Sequence, residues 1–167
     1  RLEQTAMTEF GIDLFPYRKE KNHFCHASWG VWNAGIAAAA NENDSGELIW
    51  KLLMQQTRNA VMNKTFYEVV DVETGQAWRW PGQLWHAAGF ISCIYLGLLG
   101  IQYDGKGMTI RSVHQEHVER IRLTGLRFGR GVYDIDAIPG GTCLYLDGEP
   151  TKRVNANLTG HHRLEYR

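Results

Sequence analysis

The stretch GQLWHAAGFISCIYLGLLG, residues 82 to 100, leaves a folding chain the fewest options. Leu84, Ala87, Ala88, Ile91, Ile94, Tyr95 and Leu98 recur at spacings of three and four, which predicts a helix over about 82–98. Pro81 stands at its start, where a missing N–H costs least. Little of the circumference is polar, and a helix apolar nearly all round is buried among other elements rather than laid on a surface. The apolar run is too short to cross a bilayer.

Two further helices are predicted ahead of it. SWGVWNAGIAAAANEN places Trp29, Trp32 and Ile36 on one helical face, with Gly30, Ala34, Gly35 and the alanines from Ala37 to Ala40 allowing close approach by a neighbour. After NDSG at 43 to 46, a second helix over about 45–62 carries Leu48, Leu52, Gln55 and Gln56 on adjoining turns. Two helices joined by so few residues are expected to lie antiparallel, as a helical hairpin. Residues 65 to 72 read as a short extended piece ahead of a turn at Glu73-Thr74-Gly75.

Beyond Gly100 the texture changes to short β-like runs separated by Gly, Asp and Pro. VERIRLTGLRF alternates Val118, Ile121, Leu123 and Leu126 inward, with a slip that points to a bulge at Gly125. The expectation is therefore an α+β chain: helices over residues 1–103, then a small antiparallel β domain over residues 104–167. Three helices, one buried on all sides, cannot cover their own apolar faces with so small a sheet. More helices are expected, from an oligomeric partner or from a longer protein of which this is the C-terminal part; the absence of an initiator Met agrees with the latter.

Eighteen basic residues balance eighteen acidic ones, so no global field points to nucleic acid or an anionic membrane. Six Trp and seven Tyr suit a core, an interface or a surface that stacks on uncharged ligands such as sugars. Cys25, Cys93 and Cys143 are odd in number and lack metal-ligand spacing, and Cys93 falls inside the apolar helix as a small hydrophobe. His23 and His26 supply two ligands with no acidic third nearby, so neither zinc nor any cofactor is expected. No signal fixes the compartment; a cytoplasmic one is slightly favoured.

The order HASWGVWNAG, FYEVVDVETGQ, GQLWHAAGFISCIYLGLLGI and LTGLRFGRGVYDIDAIPGGT resembles the end of the six-hairpin glycosidases, whose catalytic domain is an (α/α)6 toroid. Glycoside hydrolase family 63 and the mannosylglycerate-hydrolase-like enzymes are the nearest in character, followed by the glycogen-debranching and family 65 enzymes. The resemblance covers most of residues 22 to 138. It implies that residues 1–103 are helical hairpins from the end of such a toroid, with the missing N-terminal part of the same barrel as partner.

The resemblance also implies a reaction. A Phe-Tyr-Glu pattern ahead of Thr-Gly carries the general base of an inverting hydrolysis, and it falls here on Glu68, with Asp71, Thr74 and Gly75 behind it. Val69 and Val70 stand where an aromatic is usual, and Val72 where Pro is usual. Inverting hydrolysis of an α-glycosidic bond needs one carboxyl group as acid and one carboxylate to activate water, about 6.5–9.5 Å apart. No position matches the acid, so the chain alone is expected to be inactive. Trp29, Trp32, Trp78, Trp80 and Trp85 are candidate sugar-stacking residues, with packing as the alternative for each. His26 reads as a pocket hydrogen-bonding residue or a cap, and Gln83 as a donor to a sugar hydroxyl or a first-turn residue. Two rivals stand beside the hydrolase: a glycoside phosphorylase on the same scaffold, and a non-catalytic carbohydrate-binding or interaction module.

Overall fold

The computed structural model describes residues 6–22 and 24–167; His23 lies outside them. It is a mixed α/β protein. Three α-helices, α1 (Asn33–Glu42), α2 (Gly46–Asn63) and α3 (Leu84–Ser92), are accompanied by a 3-10 turn at Gly30–Trp32 and a π-helical continuation of α3 at Cys93–Leu98. Ten strands form three sheets among the described residues. The expected end of an (α/α)6 toroid is therefore not what forms. The segment on either side of the Glu73-Thr74-Gly75 turn pairs with itself as an antiparallel ribbon, and Ala27–Ser28, of which Ser28 was expected to open the first helix, joins that ribbon as a strand. Extended backbone occupies positions that a hairpin repeat would need as helix.

The chain divides into two compact units, Arg1–Ala37 with Leu48–Ile94, and Ala38–Glu47 with Tyr95–Arg167. In the first, β1 (Ala27–Ser28), β2 (Tyr67–Asp71) and β3 (Ala77–Pro81) form an antiparallel sheet with β2 in the centre. Ile12, Ala27, Ile49, Leu52, Leu53, Val69 and Cys93 are buried. Asn63, the last residue of α2, holds the β2–β3 turn: its Nδ2 donates to the Gly75 carbonyl at 3.0 Å and its Oδ1 accepts from the Ala77 N–H at 3.0 Å. Pro81 closes β3 rather than opening α3. The Gln83 N–H still donates to the Phe66 carbonyl at 3.0 Å, so the chain stays tied to the ribbon until α3 begins at Leu84.

The second unit holds β4 (Gln102–Asp104) paired with β5 (Gly107–Thr109), and a five-stranded sheet of order β6-β7-β10-β8-β9. Its strands are β6 (Ile121–Phe128), β7 (Gly131–Ala137), β8 (Leu144–Leu146), β9 (Glu149–Thr151) and β10 (Gly160–Tyr166). The purely antiparallel domain anticipated here is mixed instead. Strand β10 inserts between β7 and β8 and runs parallel to β7, from Gly160 opposite Gly131 to Tyr166 opposite Ala137. Alternation reports which face is buried but carries nothing about strand direction. The alternation itself holds: Tyr133, Ile135 and Ala137 face a core with Met108, Val154 and Leu164. The β6–β7 register shifts between Leu123 and Leu126, and Gly125, at φ 73°, sits in that bulge.

The small residues are used where the 3-10 turn meets α3. A Cβ built on Gly89 would stand 3.0 Å from both the Gly30 carbonyl oxygen and Val31 Cα. Backbone cannot swing aside as a side chain can. We expect Gly89→Ala to destabilise the chain by about 1 kcal/mol net, because overpacking outweighs the better helix propensity of Ala; denaturant unfolding with an unchanged m-value checks this.

Candidate functional site

Glu68 is the second residue of β2, and the register around it is irregular. Tyr67 pairs with Pro81 and Val69 with Trp78, so the single residue Glu68 is opposed by two, Arg79 and Trp80. This is a β-bulge, which bends a strand and re-aims its side chains. Arg79 takes φ 77°, a left-handed conformation uncommon for a residue with a Cβ. The Glu73-Thr74-Gly75 turn fixes one end of the ribbon. Asp71 Oδ1 accepts from the N–H groups of Glu73 and Thr74, each at 2.9 Å, and Lys21 Nζ lies 2.5 Å from its Oδ2. Burial pushes the Asp71 carboxyl up, but Lys21 and the two backbone donors outweigh it and hold the group below its ordinary value.

The bulge sorts the tryptophans. Trp78 shares the Val69 side of the ribbon, half-buried, with a buried indole N–H that has no hydrogen-bond partner among the described residues and the Arg79 guanidinium 6.0 Å from its ring. Trp80 is two-thirds exposed (67%) opposite Glu68. Trp85, half exposed, stacks on His86 with ring centroids 6.0 Å apart and planes inclined by 23°. His86 in turn lies 6.3 Å from Trp29, whose indole is parallel to Phe24 within 5° at 5.6 Å. Phe24, Trp29, His86 and Trp85 thus form a continuous row of flat rings. Trp32 is exposed on the 3-10 turn.

His86 joins this row to the carboxylate. It is buried, and burial lowers its pKa; a hydrogen bond with the Tyr67 carbonyl and the charge of Glu68 oppose that shift without cancelling it. The imidazole is therefore neutral at neutral pH, and Glu68 is close enough to act on its titration. Tyr67 and Glu68 are consecutive on β2, so one imidazole touches the backbone of the first and feels the charge of the second.

The other anticipated residues fall elsewhere. His26 adopts φ 56° and commits both ring nitrogens to the loop before β1: Nδ1 is 2.9 Å from Asp13 Oδ2 and Nε2 is 2.6 Å from the Arg18 carbonyl oxygen. Gln83 precedes α3 at its N-cap position without a side-chain capping bond, and its carbonyl accepts from the His86 and Ala87 N–H groups at 3.1 Å. Sequence reasoning weighed His86 only as a metal ligand and passed over Phe24. A single His one turn into an otherwise apolar helix was the available signal for the first; nothing in the pattern around Phe24 announced a stacking partner. Among the described residues, no three His, Cys, Asp or Glu side chains come together as a metal site would require, and no helix is long and apolar enough to cross a membrane. No known family model matches the chain, and no curated protein sequence is significantly similar to it.

Two outcomes follow. The unfolded chain can protonate His86 near its ordinary value of about 6.5 whereas the folded chain resists it, so protons favour unfolding. That contribution to stability is complete above pH ~6.5 and is lost as pH falls toward the lower folded value. His86→Gln should flatten this part of the stability curve in denaturant titrations between pH 8 and 5. Second, burial pushes the Cys93 thiol up to about 11, against a hydrogen bond from Gln56, whereas Cys143 is exposed. Alkylation of the folded protein at pH 8 should label Cys143 and spare Cys93 until the chain unfolds, as peptide mapping will show.

Proposed function

We propose that Glu68 is the general base of an inverting hydrolysis of an α-glycosidic bond, acting on an oligosaccharide or glycoside whose sugar rings stack on the surrounding aromatics. The observation that carries this reading is the joint placement of Glu68: opposite a strained bulge that carries exposed Trp80, and coupled to a neutral His86 that stacks on Trp85 and neighbours Trp29. Flat, partly exposed rings beside a carboxylate suit a pyranose, which offers an apolar face and a rim of hydroxyls. The resemblance of FYEVVDVETGQ to the base-bearing segment of family 63-like glycosidases supports the same residue for the same role, although the toroid of those enzymes is not carried over with it.

A partner acid is required, and no position of this chain matches the one that the resemblance implies. Glu9 pairs with Arg58, Asp13 with His26, and Asp71 and Glu73 with Lys21. Against the effect of burial, Lys21 and two backbone donors hold the Asp71 carboxyl below its ordinary value, the wrong form for protonating a leaving oxygen. In the resembled enzymes the general acid stands in an earlier hairpin that no position here matches, so residues 1–167 alone should bind glycosides without hydrolysing them.

The test uses the longest natural protein that contains this chain. Glu68→Gln should lower kcat by about 10² or more with little change in KM, since it removes proton abstraction but keeps shape and hydrogen bonding. Trp85→Ala should weaken oligosaccharide binding about three- to tenfold. The exposed tryptophans would serve a carbohydrate-binding module equally well. Turnover untouched by Glu68→Gln, together with binding lost in Trp85→Ala, would establish that second reading instead.

A further inference from the structure

In the second unit β10 lies between β7 and β8, and His162 stands near its start. Both nitrogens of that imidazole face oxygen. Nδ1 is 2.7 Å from Asp147 Oδ2, in the turn between β8 and β9, and Nε2 is 3.0 Å from the Thr159 carbonyl oxygen. A carbonyl can only accept a hydrogen bond, and so can an ionised carboxylate. A neutral imidazole has one N–H and serves one of the two; only the imidazolium donates to both.

The surroundings agree with a cation. Asp147 Oδ1 accepts from the Arg163 N–H at 2.8 Å, and that bond, followed by the His162 ring, holds the carboxyl below its ordinary value. The imidazole also stacks on Tyr133 of β7, with ring centroids 5.5 Å apart and planes inclined by 26°, and an aromatic face attracts positive charge. Burial raises the Tyr133 hydroxyl, so the phenol stays neutral. On β10 itself the flanking His161 and Arg163 alternate to the other face of the sheet, where they pair with Asp134 and with Asp136 and Glu165. Residues 155–159 carry no charged side chain. Asp147 is therefore the charge that His162 answers to, and the bonds to Asp147 and to the Thr159 carbonyl raise the imidazole above its ordinary value.

We propose that His162 is a proton-operated latch on the segment leading into β10: protonated, it fastens the β8–β9 turn and the Thr159 carbonyl together, and on losing its proton to solvent it keeps Asp147 and releases Thr159. The bond to Asp147 is the one retained because its acceptor is charged. Nε2 then turns a lone pair on the Thr159 oxygen, and the contact becomes repulsive. The Arg130 N–H still donates to the Ala156 carbonyl at 3.0 Å and Leu158 still packs on the core, so the release is local and the sheet persists. The latch strengthens the fold fully below pH ~6.5, and its contribution is lost as pH rises through the higher folded value, opposite in sign to that of His86. It lies in the second unit and does not depend on the role of Glu68.

NMR of the folded chain between about pH 5 and 9 tests the latch. The His162 ring should titrate at a higher pH than in the urea-unfolded chain, and the heteronuclear NOE of the Leu158, Thr159 and Gly160 amides should fall with the same midpoint. Asp147→Asn, which tolerates the left-handed backbone of this turn (φ 51°), should lower that midpoint. His162→Gln should leave the three amides independent of pH. A His162 midpoint at or below its unfolded value, one unmoved by Asp147→Asn, or amides whose mobility ignores it overturns the proposal. Should a variant fail to fold, the titration of the unaltered chain decides alone.

Discussion

The β2–β3 ribbon is the constraint on which the first unit depends, and it is held by two side chains. Asp71 closes the turn from within, accepting two backbone N–H groups at one oxygen while the other meets Lys21. Asn63 closes it from outside, bonding on both sides of the turn from the end of α2. A two-stranded ribbon is marginal in water. Pairing with β1 and clamping to an 18-residue helix change that, since the register of the ribbon and the end of the helix can only shift together. An Asn at a helix end supplies both a donor and an acceptor, which is what a turn with an exposed carbonyl and a free N–H requires.

Everything at the candidate site is downstream of that register. With the turn fixed at Asp71–Gly75, the extra residue of the bulge has to be absorbed further along β3, and it is absorbed opposite Glu68 at Arg79 and Trp80. The same extra residue changes the face presented after Trp78, which separates half-buried Trp78 from exposed Trp80 only two residues on. From the other side, the close approach of Gly89 to Gly30 brings α3 against the 3-10 turn, and this contact allows His86 to lie between Trp85 and Trp29. The bulge thus sets Glu68 and Trp80 opposite each other, and the glycine contact sets the rings of residues 29, 85 and 86 side by side.

The parts of this arrangement legible in the sequence are those governed by local period or local turn chemistry. The helix over Gly46–Asn63, the extended piece before Glu73-Thr74-Gly75, the burial of Cys93 and the bulge at Gly125 all follow from neighbours in sequence. Ala27–Ser28 could not be read as strand, because its extended state is imposed by Val70 and Asp71 more than forty residues away. The parallel placement of β10 beside β7 was hidden for a similar reason: a strand with one buried face has the same alternation in either direction. The hairpin toroid was an implication of the family resemblance, and the need of the apolar helix for cover agreed with it, but the sequence cannot say whether cover comes as helix or as sheet. At the site, the aromatic residues were visible individually, but their grouping around His86 depends on tertiary contacts that no spacing rule contains.

Two carboxylates three residues apart on β2 show how one short strand can prepare different chemistry. Asp71 is given a cation and two N–H donors, which hold it ionised and occupied in keeping the turn. A carboxylate so satisfied is a poor proton acceptor, because every partner that stabilises its charge has to be given up when the proton arrives. The imidazole beside Glu68 is of the opposite kind. Burial keeps His86 neutral, so it orders the Tyr67 backbone without adding positive charge next to the carboxylate. The neutral ring binds the backbone of the strand that carries Glu68 and brings no positive charge to it. Separation of paired carboxylates by environment is how a fold assigns them different roles. On this strand the two surroundings differ in which neighbour carries a charge: Lys21 beside Asp71 does, and buried His86 near Glu68 does not.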